Sequence, residues 1–481
     1  MRFAIIGAGM SGILAAIKLR LAGHQDVVVL EKADRVGGTW RDNRYPGLAC
    51  DVPAHAYTYE FAPNPEWSAY FVGGPEIQAY FEKTVDDYGI RPFIRFNSEV
   101  AAVDWCDGQW RLTTTDGDTD HADVVIVASG VLHHPNVPDI PGLDSFAGPA
   151  MHTARWDAGL NLAGKRIGVI GNGSTGVQMV AHLGLEGHEV VHFQRTPQWI
   201  MPTPNFAYSE EDKARFRESV EAIDAVRYHP DFLAAIDRFT NGVTDMDSPG
   251  IREVEDLCRR NLEEAVVDPV LREKLRPNYR AACKRLIYSG TYYPAVQQPN
   301  VEVVVGPLGR IVPEGVIDGE GVLHPLDVLA LATGFDADRY IRPAKVRGEG
   351  GIELDDVWAE RCAAYLGVCV PAFPNMFFLN GPTSPLGNFS LIDIAERQWG
   401  FIEQLIAPIV AGEAATVAIR PDAFAAQEAA RVAAHRNTIW SSGCTSYYLD
   451  KTGVPIVWPW TYELFRQQTR TPDLAAFELT R

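Results

Sequence analysis

The chain has 481 residues, of which 46% are hydrophobic, so it can bury a large core and favours two or three domains over one. It carries 43 basic against 62 acidic residues and a net charge of -19, which disfavours an extended surface that neutralises nucleic-acid phosphates. The apolar runs VVIVASG and VLALATGF are too short to cross a bilayer. The chain starts directly with an apolar strand, so we expect a cytoplasmic protein without a nucleic-acid partner or a membrane span.

The seven cysteines are scattered along the chain and never form a C-x-x-C pair. This argues against disulfide-relay chemistry and against a standard zinc site, and it predicts reduced, mostly buried thiols. The twelve histidines form no cluster with the spacing of metal ligands. No metal site is therefore predicted.

The first predicted element is a buried strand, FAII, followed by the glycine loop Gly7-x-Gly9-x-x-Gly12 and a helix. The first glycine permits a tight turn, the second lets the backbone approach a pyrophosphate, and the third lets the helix pack on the strand. The next strand, VVVL, leads into Glu31, whose carboxylate can accept hydrogen bonds from ribose hydroxyls. Strand, loop, helix, strand and acid in this register predict a dinucleotide site.

The same device recurs at RIGVIGNGSTG, where Gly171, Gly173 and Gly176 lie between an apolar strand and a helix. The strand that follows, EVVHFQRT, ends in Arg195 and Thr196 and has no acid there. An arginine at that position can pair bidentately with a 2'-phosphate, which a carboxylate would repel. The pattern favours NADPH over NADH, with a solvated arginine as the alternative.

Two further segments, HADVVIVASG and LDVLALATGFDA, each end a strand in a turn of small residues. Paired glycine loops with such returning strands resemble the flavoproteins with two dinucleotide-binding domains, which hold FAD in the first and NAD(P)H in the second. The predicted fold class is α/β, with two Rossmann-like domains. We expect an FAD-binding domain over 1–145 and 371–481, an NADP-binding domain over 146–207 and 283–370, and a helical insertion over 208–282. The insertion either shapes a substrate pocket or is a solvated structural addition.

Two segments narrow the resemblance to one family. GGTWRDNRYPGLACD, which ends at Asp51, resembles the long fingerprint of Baeyer-Villiger monooxygenases, and FAGPAMHTARWD, with His152 and Trp156, resembles the short one. KRLI, which contains Lys284 and Arg285, and LATGFDA also resemble segments of this family. The chain departs from the pattern after the fingerprint tryptophan, where RD replaces the aromatic residues that some members have.

The resemblance implies an enzyme that uses NADPH, FAD and O2 to convert a small-molecule ketone into an ester or lactone through a C4a-peroxyflavin. Two alternatives stay open: a flavin monooxygenase that oxygenates nitrogen or sulfur, and a flavin-binding redox partner or sensor that does not oxygenate. The natural substrate, the regiochemistry and the oligomeric state are not predicted.

The resemblance also implies roles for individual residues. Arg285 is the expected catalytic cation, because arginine keeps its charge and a fixed cation beside the flavin favours an anionic peroxide. Asp51 is expected to orient that arginine through a carboxylate–guanidinium pair. His152 and Trp156 lie in a connector between the two domains, where they are better placed to couple domain movement than to act as acid, base or nucleophile.

The remaining predictions concern cofactor contacts. Tyr57 has plain aromatic packing as an alternative, and Val100 would meet the adenine through its backbone. The expected FAD contacts are Gly7, Gly9, Ser11, Gly12, Glu31, Thr39, Trp40, Asp51, Tyr57 and Val100. The expected NADP contacts are Gly171, Gly173, Ser174, Thr175, Gly176, Gln178, Arg195, Thr196, Lys284 and Arg285.

Overall fold

The computed structural model describes residues 1–387 and 389–481. The strands, in chain order, are β1 Phe3–Ile6, β2 Val27–Leu30, β3 Ile94–Arg95, β4 Val100–Cys106, β5 Gln109–Thr114, β6 Thr119–Ala122, β7 Val124–Val127, β8 Ala150–His152, β9 Arg166–Ile170, β10 Glu189–Gln194, β11 Ile200–Met201, β12 Ile287–Tyr288, β13 Val301–Val305, β14 Leu308–Val312, β15 Gly315–Asp318, β16 Leu323–Pro325, β17 Val328–Leu331, β18 Lys345–Arg347, β19 Met376–Phe378, β20 Thr416–Ile419 and β21 Phe477–Thr480. The helices are α1 Met10–Leu21, α2 Thr39–Asp42, α3 Gly74–Asp87, α4 Ser174–Leu185, α5 Glu210–Glu218, α6 Val220–Arg227, α7 Pro230–Thr244, α8 Pro249–Ala265, α9 Pro269–Lys274, α10 Tyr292–Val296, α11 Leu354–Val357, α12 Leu391–Val410, α13 Pro421–Ala434 and α14 Tyr462–Arg470.

The first sheet has the strand order β19-β7-β1-β2-β3, and every neighbouring pair is parallel. The strands β1, β2, β7 and β19 are buried along their whole length. Their unbroken apolar sequences are what a parallel sheet covered on both faces requires. Since β2 and β7 flank β1 on opposite sides, the glycine loop after β1 lies where the strand order reverses, which is where such sheets bind ligands.

The second sheet repeats this plan with the order β13-β10-β9-β17-β8, again with all neighbouring pairs parallel. Its central strands β9 and β17 carry the apolar sequences RIGVI and VLAL, and α4 follows β9 through the second glycine loop. The predicted α/β fold with two Rossmann-like domains is thus confirmed. The predicted returning strands are β7 and β17.

The chain crosses back to the first domain through β18, which follows β17 and pairs in parallel with β4. The strands β4, β5 and β6 form an antiparallel meander beside the first sheet, and β18 extends its open edge. Residues 345–347 therefore join the first domain, although the predicted NADP-binding range runs on to residue 370. An edge strand of three residues has too little sequence pattern to be predicted. The other domain limits stay predictions.

The predicted helical insertion contains α5 to α9, and it leaves and re-enters the second domain through β11 and β12, which pair in parallel. Each of these five helices begins where an acceptor side chain caps a free amide, and the capping residues, from α5 to α9, are Ser209, Ser219, His229, Ser248 and Asp268. The insertion also contacts the first domain, because the buried Arg227 of α6 donates a hydrogen bond of 2.9 Å to the Thr58 carbonyl.

The cysteines differ from the sequence prediction. Cys283 and Cys444 form a disulfide across 161 positions of sequence, with their Cα atoms 6.2 Å apart. The prediction of reduced thiols is therefore wrong for this pair, because the fold brings together two segments whose spacing carries no such signal. The other five cysteines are unpaired.

Across the described ranges, no helix is long and apolar enough to span a membrane.

Candidate functional site

A cavity of about 420 Å³ lies against the glycine loop at the carboxyl edge of the first sheet. Nine of the ten predicted FAD contacts line it: Gly7, Gly9, Ser11, Glu31, Thr39, Trp40, Asp51, Tyr57 and Val100. The tenth, Gly12, lies behind the loop, where a side chain would overlap the carbonyl oxygen of Gly7. Gly12 therefore permits close packing of α1 on β1, and its contact with FAD stays a prediction.

Glu31 lies buried at the end of β2, and its carboxylate is held on three sides. The Ala8 amide donates to Oε2 at 2.7 Å, while the Ala33 amide (2.9 Å) and the Arg41 guanidinium (2.8 Å) donate to Oε1. Glu31 lines the cavity, and its Oε2 accepts one hydrogen bond from the described part of the chain. The charged residues that depart from the family pattern thus fix the predicted ribose acceptor, because Arg41 also pairs with Asp42 at 2.7 Å.

Two buried polar atoms of residues that line the cavity have no hydrogen-bond partner in the described part of the chain. Ser129 Oγ and Asn380 Oδ1 are buried without a hydrogen bond, and both residues line the cavity. The amide of Asn380 already donates to Ser11 Oγ at 3.0 Å, which leaves its oxygen free to accept. Buried polar atoms are rarely left unpaired in native proteins, so these residues fit a polar ligand such as the dinucleotide part of FAD.

Trp40 and Tyr57 form one aromatic unit in the cavity wall. The indole Nε1 donates to the Tyr57 hydroxyl at 3.1 Å, and the ring centroids are 5.7 Å apart in an edge-to-face arrangement. Burial raises the pKa of Tyr57 above its usual value, so the hydroxyl stays protonated. The pair therefore supplies shape and a fixed dipole, and it does not supply a base.

The second glycine loop has nearly the same backbone as the first. Gly171 has a φ of 107°, and a side chain at Gly176 would overlap the Gly171 carbonyl oxygen. A side chain at Gly173 would meet no atom within 4 Å, so the space above the loop is open. The next residues, Ser174 and Thr175, line the cavity of the first domain. The loop thus presents free amides of the α4 N-terminus toward the other domain, as a pyrophosphate site requires.

Gln178 is engaged between the two domains. Its Oε1 accepts from the Tyr45 hydroxyl at 2.8 Å, and its Nε2 donates to the Ala49 carbonyl at 3.0 Å. A side chain at Gly47 would collide with α4 at His182. The fingerprint loop of the first domain therefore packs directly on the helix of the second, and contact of Gln178 with NADP stays a prediction.

Arg195, Thr196 and Lys284 lie at the edge of the second domain. Arg195 is exposed at the end of β10, and the carbonyl of Thr196 accepts from Asn172 Nδ2 at 2.6 Å. Burial lowers the pKa of Lys284, and the positive charge of Arg195 lowers it further. In the described part of the chain, neither side chain forms an ion pair with a carboxylate. Two cations without a carboxylate partner favour an anion such as a 2'-phosphate.

Arg285 and Asp51 meet as predicted, 234 positions apart in sequence. Arg285 Nη2 donates to Asp51 Oδ2 at 2.7 Å, and the side chains are 29% and 19% exposed. The Asp51 charge holds the pKa of Arg285 well above its usual value, so the guanidinium stays charged. Gly387 completes the arrangement, because a side chain there would meet Arg285 Nη1 at 3.1 Å and overlap the Tyr448 hydroxyl.

His152 and Trp156 are buried in the second domain. The His152 Nδ1 accepts from the Ala154 amide at 3.1 Å, which leaves Nε2 to donate to the Gly334 carbonyl at 2.9 Å. With both ring nitrogens engaged and its pKa lowered by burial, His152 is a neutral structural link between β8 and the turn after β17. Trp156 belongs to the same buried apolar cluster as Tyr45 of the fingerprint loop.

Sequence reasoning missed Gly387, Tyr448 and Asn380, and it named Arg41 only as a departure. The residues Gly387 and Tyr448 come from the C-terminal segment and reach Arg285 only through the fold, so no local pattern marks them. The role of Arg41 could have been predicted, because a carboxylate such as Glu31 in a buried site needs a charged partner.

Each of the two nucleotide domains is built on a parallel sheet, and the cavity is lined by residues of both. A guanidinium–carboxylate pair lies in the wall of this cavity. These features define a flavin- and nicotinamide-dependent oxidoreductase. The family described as pyridine nucleotide-disulphide oxidoreductase matches residues 4–237. The chain is similar to a Baeyer-Villiger monooxygenase of Streptomyces coelicolor, with 39% identity over 485 residues that cover 100% of this chain and 93% of the relative. It therefore belongs to the Baeyer-Villiger monooxygenase family.

Other comparisons agree. An uncharacterized monooxygenase of Mycobacterium tuberculosis is 44% identical over 458 residues, which cover 95% of this chain and 91% of the relative. The crystal structure of OTEMO in complex with FAD and NADP matches with a TM-score of 0.88 and 26% identity, and covers 100% of this chain and 99% of that one. The prediction of an FAD- and NADPH-dependent monooxygenase is thus confirmed for the family to which the chain belongs.

Proposed function

We propose that the protein catalyses the oxidation of a ketone to an ester or lactone with NADPH, O2 and bound FAD. One oxygen atom enters the product between the carbonyl carbon and a substituent, the other leaves as water, and NADPH and a proton supply the two electrons and hydrogens. The observation that carries this proposal is the Arg285–Asp51 pair, at 2.7 Å, in the wall shared by the nucleotide cavity and a second, apolar cavity.

The residues present fit both cofactors. FAD would lie along Gly7, Gly9, Glu31 and Val100, and NADPH along the second glycine loop with its 2'-phosphate between Arg195 and Lys284. FAD supplies the activation of O2 when bound. The chain supplies the rest: a cavity lined largely by apolar residues, a buried carboxylate at Glu31 for the ribose, and cations for the phosphate.

Arg285 is the catalytic cation in this proposal. Its guanidinium stabilises negative charge that develops on the reacting oxygens, and it polarises the ketone carbonyl. Asp51 accepts one guanidinium N–H and so fixes the plane of the fork, which leaves the other N–H groups aimed along the cavity wall. Gly387 leaves room beside the guanidinium, because a side chain there would overlap the Tyr448 hydroxyl and crowd Arg285 Nη1.

His152 and Trp156 are proposed to couple the domains and not to touch the reacting atoms. The Nε2–H of His152 holds the turn at Gly334, through which the chain passes back from the second domain to the first. We expect His152→Ala to slow flavin reduction by NADPH or to uncouple it from ester formation, as measured by stopped-flow absorbance and product yield. If neither changes, the coupling role is rejected.

A cytoplasmic location also stays a prediction.

The test is a panel of ketones incubated with the purified holoenzyme, NADPH and isotopically labelled O2, with product analysis by mass spectrometry. We expect an ester that carries one labelled atom. A thioether and an amine in parallel test the alternative of sulfur or nitrogen oxygenation, and NADPH oxidation without any oxygenated product would favour a redox partner or sensor.

The matched variants are Arg285→Ala and Arg276→Ala. Arg276 is half-buried on the insertion and pairs with Glu273 at 2.9 Å, and it lines neither cavity. We expect Arg285→Ala to be reduced by NADPH and yet to form at least about 100-fold less ester, the scale of losing one charged group that stabilises a transition state. Ester formation that survives in Arg285→Ala would remove Arg285 from the chemistry.

A further inference from the structure

A second cavity, of about 870 Å³, lies between the helical insertion and the first domain. It shares Asp51, Val52, Arg285, Gly387 and Phe389 with the wall of the nucleotide cavity. The charged pair that carries the proposed chemistry therefore faces both spaces. One end of this second cavity is a reactive end, and the rest of it is available to the body of a substrate.

The insertion supplies an apolar wall of the cavity. Phe232, Ile236 and Phe239 follow each other on α7 at spacings of four and three, so they share one face of the helix, and all three line the cavity. Each is only partly buried. Val254 and Leu257 of α8 continue the wall. An amphipathic stripe normally packs on protein, and here it lines the cavity.

The opposite wall comes from the first domain and the connector into the insertion. The rings of Tyr70 and Phe206 stack with their centroids 5.0 Å apart, and both line the cavity, with Phe206 half exposed. Besides Asp51 and Arg285, the acidic and basic side chains that line the cavity are Asp212, Arg215, Asp231 and Arg238. Arg215 pairs with Asp212, and Arg238 of α7 pairs with Glu253 at 2.8 Å. The side chains of Arg215, Asp231 and Arg238 are exposed, so they mark the mouth where the cavity opens to solvent.

The size and lining of the cavity limit what can fill it. A volume of 870 Å³ is near the upper end of the range for pockets that enclose drug-sized ligands, and it equals the space of roughly 30 water-sized groups. A ketone of six carbons would leave most of the apolar wall without contacts. Burial of each further methylene stabilises binding, in proportion to the apolar area removed from water.

We infer that the substrate is an extended, apolar ketone whose carbonyl lies at Arg285 and whose hydrocarbon body runs along the Phe232–Ile236–Phe239 face of α7 toward the solvent mouth. This inference rests on the proposed function for the position of the carbonyl. The binding of the hydrocarbon body depends only on the cavity. Chain length and α7 therefore set specificity, while Arg285 and Asp51 set the reaction.

The experiment compares linear 2-ketones of four, six, eight, ten and twelve carbons with the holoenzyme. We expect kcat/KM for ester formation to rise about two- to fourfold per added methylene, the gain that burial of one methylene gives, up to at least ten carbons. A maximum at six carbons or fewer, or equal values throughout, would overturn the inference.

Two tryptophan variants on α7 provide a matched pair. Ala235 lines the cavity, while its neighbour Ala234 is equally exposed and does not. We expect Ala235→Trp to lower kcat/KM for the ten-carbon ketone at least tenfold and to change kcat/KM for the four-carbon ketone less than twofold. Ala234→Trp should have the kcat/KM values of the wild type for both ketones. If both variants behave alike, α7 does not border the substrate.

Calorimetric titration of the holoenzyme with the four- and ten-carbon ketones, without NADPH, separates this inference from the proposed function. Tighter binding of the longer ketone, weakened by Ala235→Trp only, supports the apolar cavity even if no ester forms. Ester formation with no gain in affinity or kcat/KM from chain length would leave the proposed function intact and overturn the inference.

Discussion

The two glycine loops have almost the same backbone and opposite electrostatics. Gly7 and Gly171 have φ values of 101° and 107°, and the third glycine of each loop packs against the carbonyl of the first. The strands that follow end differently, in the buried, paired Glu31 and in the exposed Arg195. One loop geometry therefore serves two dinucleotides, and the residue at the end of the next strand distinguishes them.

The largest effect is expected from removing the partner of the buried acid. Arg41→Ala leaves the Glu31 carboxylate, which is 4% exposed, without its only guanidinium. Removing one partner of a buried ion pair costs about 3 to 5 kcal/mol. We therefore expect the free energy of unfolding, measured by denaturation with guanidinium chloride, to fall by this amount. The matched change in the second domain, Arg195→Ala, removes an exposed and unpaired side chain and should alter stability by less than about 0.5 kcal/mol. Equal losses would contradict the comparison.

The next effect separates the loops by cofactor. Gly12→Ala and Gly176→Ala place the same methyl group against the same kind of carbonyl, where overpacking costs about 1 to 3 kcal/mol. We expect Gly12→Ala to purify with less FAD, as measured by the flavin absorbance per protein. Gly176→Ala should keep its flavin and show a raised KM for NADPH. A loss of flavin in both variants would mean that the loops do not act independently.

A smaller effect tests Arg195, the residue that follows β10, by itself. We expect Arg195→Ala to raise the KM for NADPH about tenfold, the value of one exposed, charge-assisted hydrogen bond, and to leave the KM for NADH unchanged. Steady-state NADPH and NADH oxidation measures this ratio. If both KM values rise together, Arg195 acts on the shared part of the nucleotide and not on the 2'-phosphate.

The smallest effect concerns pH. Burial and Arg195 lower the pKa of Lys284 from its usual value near 10.5, and only the protonated amine attracts a phosphate. The KM for NADPH should therefore stay low in the acidic range and rise severalfold as the pH increases through this lowered pKa, while the KM for NADH stays flat. Lys284→Arg keeps its charge and should remove the rise. A persistent rise in that variant would assign the titration to another group.

The sequence was sufficient for the parts of the molecule that depend on local pattern. Both glycine loops and the strands before and after them lie where periodicity and turn chemistry predict them. The meeting of Arg285 with Asp51 was accessible only through the family resemblance, since no local rule joins two residues 234 positions apart. The Cys283–Cys444 disulfide and the contact of Gly387 with Arg285 were not predictable, because each arises from packing of distant segments.

The wall that the two cavities share has a thermodynamic consequence. Asp51, Arg285 and Gly387 border both spaces, so a ligand in either one changes the surroundings of the same ion pair. The factor by which one ligand changes the affinity of the other must equal the factor by which the second changes the affinity of the first. Under the proposed function, nicotinamide nucleotide and ketone would therefore be reciprocal effectors. The affinity of each, measured with and without the other, would report the strength of any coupling across the shared wall.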